Sequence, residues 1–257
     1  MNDQGVDAGA AGCVIGVLGA SGGLGSSTLA AAMAVRGAMA RDTSVLIDAH
    51  PCGGGLDIPL GVDGEPGLRW PDLSSVRGDI DAAAVLSRLP AVHGCAVLSW
   101  GRRPGAVLKG QGVEVAGAVL RSEHITVIDL PGAHAEGARA WWRLCDHIVI
   151  LCGAGVRQIA AAAIAVDLVE AAVAGEGPGG SIGATVRGVV REQRNGSLDR
   201  DALSAILGLP FVGGMKHDPT VESALVKGEP IGGKAGSVAL LCDQILAELL
   251  PAGRRVA

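Results

Sequence analysis

A glycine-rich loop is the first part of this sequence whose residue types and spacing suggest chemistry. The segment GASGGLGSST, residues 19–28, lies between a predicted strand and a predicted helix. Its glycines allow successive backbone N–H groups to turn toward an anion, and the N-terminus of the following helix also favours negative charge. A tight turn without a ligand is the alternative, but the glycine content of this first strand-to-helix loop favours phosphate binding.

Short apolar runs that alternate with helical patterns must position this loop. The predicted strands are Cys13–Gly19, Ser44–Asp48, Cys95–Ser99, Ile125–Leu130, His147–Cys152, Thr185–Val190 and Pro210–Val212. The predicted helices cover residues 27–39, 134–145, 156–174, 199–207 and 237–250. Continuous apolar strands that are each followed by a helix are typical of a parallel sheet with both faces covered. We therefore predict an α/β fold with a single doubly wound, mostly parallel sheet over residues 13–250, a flexible N-terminus (1–12) and a short tail (251–257).

Composition narrows the class of protein further. The chain has 257 residues, of which 49% are hydrophobic and 2% aromatic, and its net charge is −5. This apolar content excludes disorder, and the acidic balance argues against nucleic acid as a partner. The six cysteines form no CxxC pair, which indicates reduced thiols rather than a metal site or a disulfide scaffold. The sequence shows neither a signal peptide nor a run of about 20 apolar residues, so we predict a cytoplasmic protein.

Two families of phosphate-binding proteins fit the loop. Gly19, Gly23 and Gly25 have a spacing similar to that of the dinucleotide loop of short-chain dehydrogenases, in which Asp48 would hold the adenosine ribose of NAD(P). Those enzymes normally use a Tyr-xxx-Lys pair, whose phenol acts as general acid and base. This chain contains no tyrosine, so a non-catalytic relative of the dehydrogenases is the weaker hypothesis.

The second family is that of the P-loop ATPases with a deviant Walker motif, K-G-G-x-G-K-[ST]-[ST], which reads SGGLGSST at residues 21–28. Downstream segments resemble the CpaE/TadZ branch of the MinD/ParA ATPases, and most closely the actinobacterial septum-site-determining proteins. These segments are VLIDAHPCGGGLDIPLG (45–61), GLRWPDL (67–73), TVIDLPGA (126–133), CDHIVILCGAGVRQIAAA (145–162) and LGLPFVGGMKHDPTVESALVKGEPI (207–231). The resemblance implies a P-loop fold of the MinD/ParA type.

The resemblance also implies roles for single residues. Ser27, Asp48 and Asp129 correspond to the groups that hold Mg²⁺, and the two aspartates to catalytic carboxylates that are vestigial here. Arg191 stands where relatives carry an asparagine that contacts adenine. The nucleotide contacts implied by the resemblance are Gly22, Gly23, Leu24, Gly25, Ser26, Ser27, Thr28 and Arg191.

Both lysines of the motif are replaced, since Ser21 and Ser26 occupy their positions. The first lysine of the remaining sequence is Lys109. Because an active-site cation contributes about 10³-fold or more in rate, we expect very slow or absent hydrolysis and weak or absent binding of ATP and Mg²⁺. A true ATPase that uses a substitute arginine or a partner residue remains the alternative.

By the same resemblance, the expected role is the placement of the division septum or of a Tad-type pilus or secretion apparatus. We expect a homodimer that binds proteins of that machinery and is recruited by them to the pole or septum, without nucleic acid. The last predicted helix carries an apolar stripe that includes Val238, Leu240 and Leu241. Because its polar face lacks basic residues, we expect it to pack on the domain rather than bind a membrane.

Overall fold

One eight-stranded sheet forms the centre of the computed structural model, which describes residues 12–51, 53–74, 80–101, 111–120, 125–175, 180–193 and 200–250. The spatial order is β3-β4-β2-β5-β1-β6-β7-β8. The strands are β1 (Cys13–Gly19), β2 (Ser44–Asp48), β3 (Ala91–Val92), β4 (Cys95–Leu98), β5 (Ile125–Asp129), β6 (His147–Gly153), β7 (Thr185–Arg191) and β8 (Phe211–Met215). Every described pair is parallel except β3–β4 at one edge, so the predicted α/β architecture is confirmed.

Helices cover both faces of this sheet. They are α1 (Ser26–Arg41), α2 (Ala82–Leu86), α3 (Gln111–Val119), α4 (Ala138–Trp142), α5 (Val156–Ala174), α6 (Arg200–Leu207), α7 (Pro219–Lys227) and α8 (Ser237–Leu249). The buried apolar side chains form two clusters, one that contains most of α1 and α8 and another that contains α3 and α5. Among the described helices, none has both the length and the apolar character that crossing a membrane requires.

The strand order decides which residues meet at the end of β1. In the usual dinucleotide-binding order, the second strand lies directly beside the first. Here β5 lies between β1 and β2, and the β2–β5 register places Asp48 directly opposite Asp129. Because the carboxyl ends of parallel strands share one edge, both aspartates lie next to the loop that follows β1. This order argues against the dehydrogenase hypothesis.

Several elements differ from the sequence-based prediction. The helix predicted at 134–145 is only Ala138–Trp142, because the left-handed Gly137 (φ 77°) starts it late. The helix Pro219–Lys227 was not predicted, although Asp218 and Pro219 form a normal start signal for a helix. Helix α8 buries its stripe as expected, except for Leu240, which is 67% exposed.

Asp218 joins the starts of α7 and α8. Its buried carboxylate accepts hydrogen bonds from the N–H of Thr220 at 2.9 Å and from the N–H of Val238 at 2.8 Å. Although burial disfavours the charge, the hydrogen bonds from Val238 and Thr220 hold the pKa of Asp218 below its usual value. One side chain therefore satisfies backbone donors at two helix starts.

We expect Asp218→Asn to lower the free energy of unfolding by about 1–3 kcal/mol, because an amide nitrogen cannot accept the hydrogen bond of a backbone N–H. Urea denaturation at pH 7 measures this change. Asp167→Asn, at an exposed position of α5, is the matched control and should stay within about 0.5 kcal/mol of the parent. Equal midpoints for the two variants would show that Asp218 does not stabilise the helix starts.

Candidate functional site

The glycine loop turns from β1 into α1 with its outer surface open. Gly23 (φ 77°) and Gly25 (φ 96°) adopt the left-handed conformation, and Gly25 caps the N-terminus of α1. A Cβ placed on Gly22 or Gly23 would meet nothing within 4 Å, whereas the side chain of Leu24 is buried in the core. The loop is therefore anchored by Leu24 and is not filled by side chains of the protein itself.

Two buried carboxyl groups lie beside this loop. Asp48 is 2% exposed and Asp129 is 1% exposed. The oxygens of Asp48 accept hydrogen bonds from the backbone N–H groups of His50 (3.0 Å) and Leu56 (3.2 Å). The Ser27 hydroxyl donates a hydrogen bond to the Asp129 carboxyl, whose Oδ1 atom is buried without a hydrogen-bond partner.

Burial dominates the electrostatics of these two carboxyl groups. It raises the pKa of Asp48 to about 7, and the nearby Asp129 raises it further against the opposing effect of the backbone hydrogen bonds. Burial likewise raises the pKa of Asp129. A bound divalent cation would stabilise both charged forms, and oxygen ligands such as Ser27, Asp48 and Asp129 are those that Mg²⁺ prefers.

Residues from distant parts of the chain hold the end of β2. The indole N–H groups of Trp70 and Trp100 both donate to the backbone oxygen of Asp48, at 2.7 Å and 3.1 Å. The Nε2 atom of His50 donates to the backbone oxygen of Leu130 at 2.7 Å. Trp70 is fully buried, as a packing residue should be. Neither its hydrogen bond nor that of Trp100 could be inferred from the sequence, because both donors lie far from Asp48 along the chain.

A cleft of about 470 Å³ opens between the loop and the two aspartates. Its described lining includes Gly22, Gly23, Ser26, Ser27, Thr28, Asp48 and Asp129. None of the described lining residues is a lysine or an arginine. The structure therefore brings together all the loop and strand-end residues proposed from the sequence except Leu24, Gly25 and Arg191, which lie outside this cleft.

Arg191 lies on the other side of the loop, in a smaller cavity of about 140 Å³ that Leu24 and Gly25 also line. It ends β7, and its Nη1 atom donates to the backbone oxygen of Lys216 at 3.4 Å. Arg36, further along α1, donates to Asp243 of α8 at 2.7 Å. Neither Arg191 nor Arg36 belongs to the described lining of the phosphate cleft.

The sequence of this chain is similar to curated proteins of Mycobacterium tuberculosis. No protein-family model matches the chain. The uncharacterized protein Rv3660c of Mycobacterium tuberculosis H37Rv is 32% identical over 222 residues, and the same values hold for the uncharacterized protein MT3760 of strain CDC 1551. The match covers 86% of this chain and 59% of each relative. The chain therefore spans about three fifths of the length of these curated relatives.

Solved structures similar to this one include a ParA family ATPase and MinD proteins. A ParA family ATPase from Chlorobium tepidum superposes with a TM-score of 0.76 at 16% identity, covering 92% of this chain and 98% of that chain. A chain of the MinC:MinD cell division protein complex from Aquifex aeolicus gives a TM-score of 0.70 at 19% identity, with coverages of 94% and 98%. This chain therefore has the fold of the ParA and MinD P-loop ATPases.

Proposed function

We propose that this chain is a degenerate MinD/ParA-like protein of the CpaE/TadZ type, which binds a nucleotide with Mg²⁺ weakly and hydrolyses it very slowly or not at all. It acts as a spatial adaptor that helps to place the division septum or a Tad-type pilus or secretion apparatus. One observation supports this most directly. The cleft keeps Ser27, Asp48 and Asp129 beside an open loop, yet its described lining contains neither lysine nor arginine.

The residues present fit a Mg²⁺–nucleotide. The backbone N–H groups of the loop and the N-terminus of α1 would bind the phosphates. The Ser27 hydroxyl and the carboxyl groups of Asp48 and Asp129 would hold Mg²⁺, and the orphaned Oδ1 atom of Asp129 is an unused ligand. When bound, Mg²⁺ neutralises phosphate charge and orients the phosphate oxygens.

The same cleft is a poor catalyst of phosphoryl transfer. Negative charge spreads over the transferred group in the transition state, and a cation placed there is worth about 10³- to 10⁵-fold in rate. Ser21 and Ser26 carry no charge, and Arg36 is held by Asp243. The protein can therefore contribute position and Mg²⁺ binding, but little charge stabilisation from its own described cleft residues.

The face around the loop is suited to association. Ile58, Leu225 and Val226 are exposed apolar residues, and Val226 is 88% exposed. Ile58 and Leu225 line the phosphate cleft itself. Exposed apolar groups that cluster at a site indicate an interaction surface. These exposed residues support a homodimer that forms through this face. The MinC:MinD complex supports the binding of partner proteins by this fold. Such partners would recruit this chain to the pole or septum.

Phosphate release by the purified chain with ATP or GTP and Mg²⁺ tests the proposal. We expect a rate that cannot be distinguished from that of Asp129→Ala, which removes a carboxyl group of the cleft. Calorimetric titration with the same nucleotides and with NADH measures binding separately. Turnover clearly above the Asp129→Ala control, or tighter binding of NADH than of the nucleotides, would contradict the proposed function.

A further inference from the structure

We infer that the smaller cavity beside the loop selects guanine over adenine, so that this chain is a guanine-nucleotide binder. The inference rests on the proposed function, because it concerns the base of the nucleotide whose phosphates lie at the loop. The inference differs from the sequence resemblance, which implies ATP as the bound nucleotide. The residues that carry it are Arg191 and Glu222.

The smaller cavity and the phosphate cleft lie against the same loop. Gly23 and Thr28 line both of them, so the loop borders each cavity. At about 140 Å³ the smaller one is below the range of about 300–1,000 Å³ that is typical of separate ligand pockets. One elongated ligand can occupy both, with its phosphates at the loop and a flat ring system in the smaller cavity.

Arg191 lines this cavity, and its Nη1 atom also donates to the backbone oxygen of Lys216 at 3.4 Å. Its Nη1 atom is 4.0 Å from the position that a Cβ on Gly25 would take, which places the guanidinium against the loop. A guanidinium can only donate hydrogen bonds. Arginine pairs in bidentate fashion with O6 and N7 of guanine, whereas adenine presents an amino donor in place of O6. Lys216 also lines the cavity and adds a further donor.

Glu222 supplies the acceptor that guanine also requires. Glu222 lines the same cavity, and its side chain is 72% exposed. His217 Nε2 lies 3.9 Å from the Glu222 carboxylate. Asp218, the other carboxylate in the described lining of this cavity, accepts hydrogen bonds from the N–H groups of Thr220 and Val238. Glu222 can therefore accept from the N1–H and N2 amino groups of guanine.

Titration of the full chain with the Mg²⁺ complexes of GDP, IDP and ADP tests this inference. We expect GDP to bind at least about tenfold more tightly than ADP, which corresponds to about 1.4 kcal/mol. IDP has O6 and N7 but lacks the N2 amino group, so it should also bind more tightly than ADP and more weakly than GDP.

Variants assign the preference to the named residues. Arg191→Asn and Arg191→Lys should both lose most of the preference for GDP over ADP, since neither offers the guanidinium fork. Glu222→Gln should reduce the GDP preference over IDP. Arg88→Asn, at an exposed position between α2 and β3, is the matched control and should keep the parent preference. Circular dichroism confirms that each variant is folded.

The outcomes separate this inference from the proposed function. ADP that binds as tightly as GDP, no binding of any of the three nucleotides, or an unchanged preference in both Arg191 variants would overturn the guanine inference. Fast hydrolysis of GTP with a retained guanine preference would instead overturn the proposed function and leave the base assignment in place.

Discussion

Replacing Ser26 by lysine is expected to tighten the binding of Mg²⁺–nucleotide by about 10- to 100-fold. Ser26 is the first residue of α1 and lines the phosphate cleft, whose described lining has no lysine or arginine. A hydrogen bond to a charged group contributes about 1.5–3 kcal/mol. A lysine at this position would place an ammonium group beside the bound phosphates, where the parent protein offers only a hydroxyl.

Isothermal titration of the parent and of Ser26→Lys with GDP, ADP and their triphosphates measures this gain. The matched control is Ser87→Lys, which adds the same charge at an exposed position after α2. Phosphate release by Ser26→Lys should also rise, because the added charge stabilises the transferred group. If Ser26→Lys and Ser87→Lys bind nucleotide equally well, the missing ammonium group does not explain weak binding.

Asp129→Asn is expected to raise the free energy of unfolding at pH 7.5 by about 1–3 kcal/mol. The pKa of Asp48 rises from its ordinary value of 3.8 to about 7 in the folded chain. Between these values the folded state binds more protons than the unfolded state, so stability falls as the pH rises. The raised pKa of Asp48 alone then lowers the free energy of unfolding by about 4 kcal/mol above pH 7. The substitution removes the second buried carboxylate, Asp129, and with it the repulsion that Asp129 exerts on the charged form of Asp48.

Urea denaturation at pH 5.0 and pH 7.5, with and without Mg²⁺, measures the effect. The gain from Asp129→Asn should be larger at pH 7.5, where the parent carboxyl groups are charged. Mg²⁺ should stabilise the parent more than the variant, because only the parent retains both carboxylates. Asp167→Asn again serves as the control for loss of an exposed charge. A variant less stable than the parent at pH 7.5 would show that the carboxyl pair is not a source of strain.

The central strands could be predicted from the sequence because they are buried on both faces. The prediction for Ser44–Asp48 is correct to the residue, and Ile125–Asp129 and His147–Gly153 differ from it by one residue at one end. Local hydrophobicity is sufficient for such strands. The short hairpin Ala91–Val92 with β4 was missed, because a two-residue strand carries too little pattern to be recognised.

The candidate site was predicted only in part. The loop is continuous in sequence, so its glycines and Ser27 could be recognised together. The pairing of Asp48 with Asp129 follows from β5 lying between β1 and β2, which depends on tertiary packing. The hydrogen bonds of Trp100 and His50 around Asp48 join residues far apart in sequence, and the sequence contains no local signal for them.

The indole groups of Trp70 and Trp100, which donate hydrogen bonds to the backbone oxygen of Asp48, are an intrinsic fluorescent probe of the protein. The chain has four tryptophans and no tyrosine, so its near-ultraviolet emission comes from indoles. The ring centroids of Trp70 and Trp100 are 5.8 Å apart, and the Trp141 ring meets Trp70 edge-on at 6.3 Å. These rings therefore emit next to the end of β2, which carries the proposed Mg²⁺ ligand Asp48, and their emission wavelength depends on the packing and hydrogen bonding of that strand end.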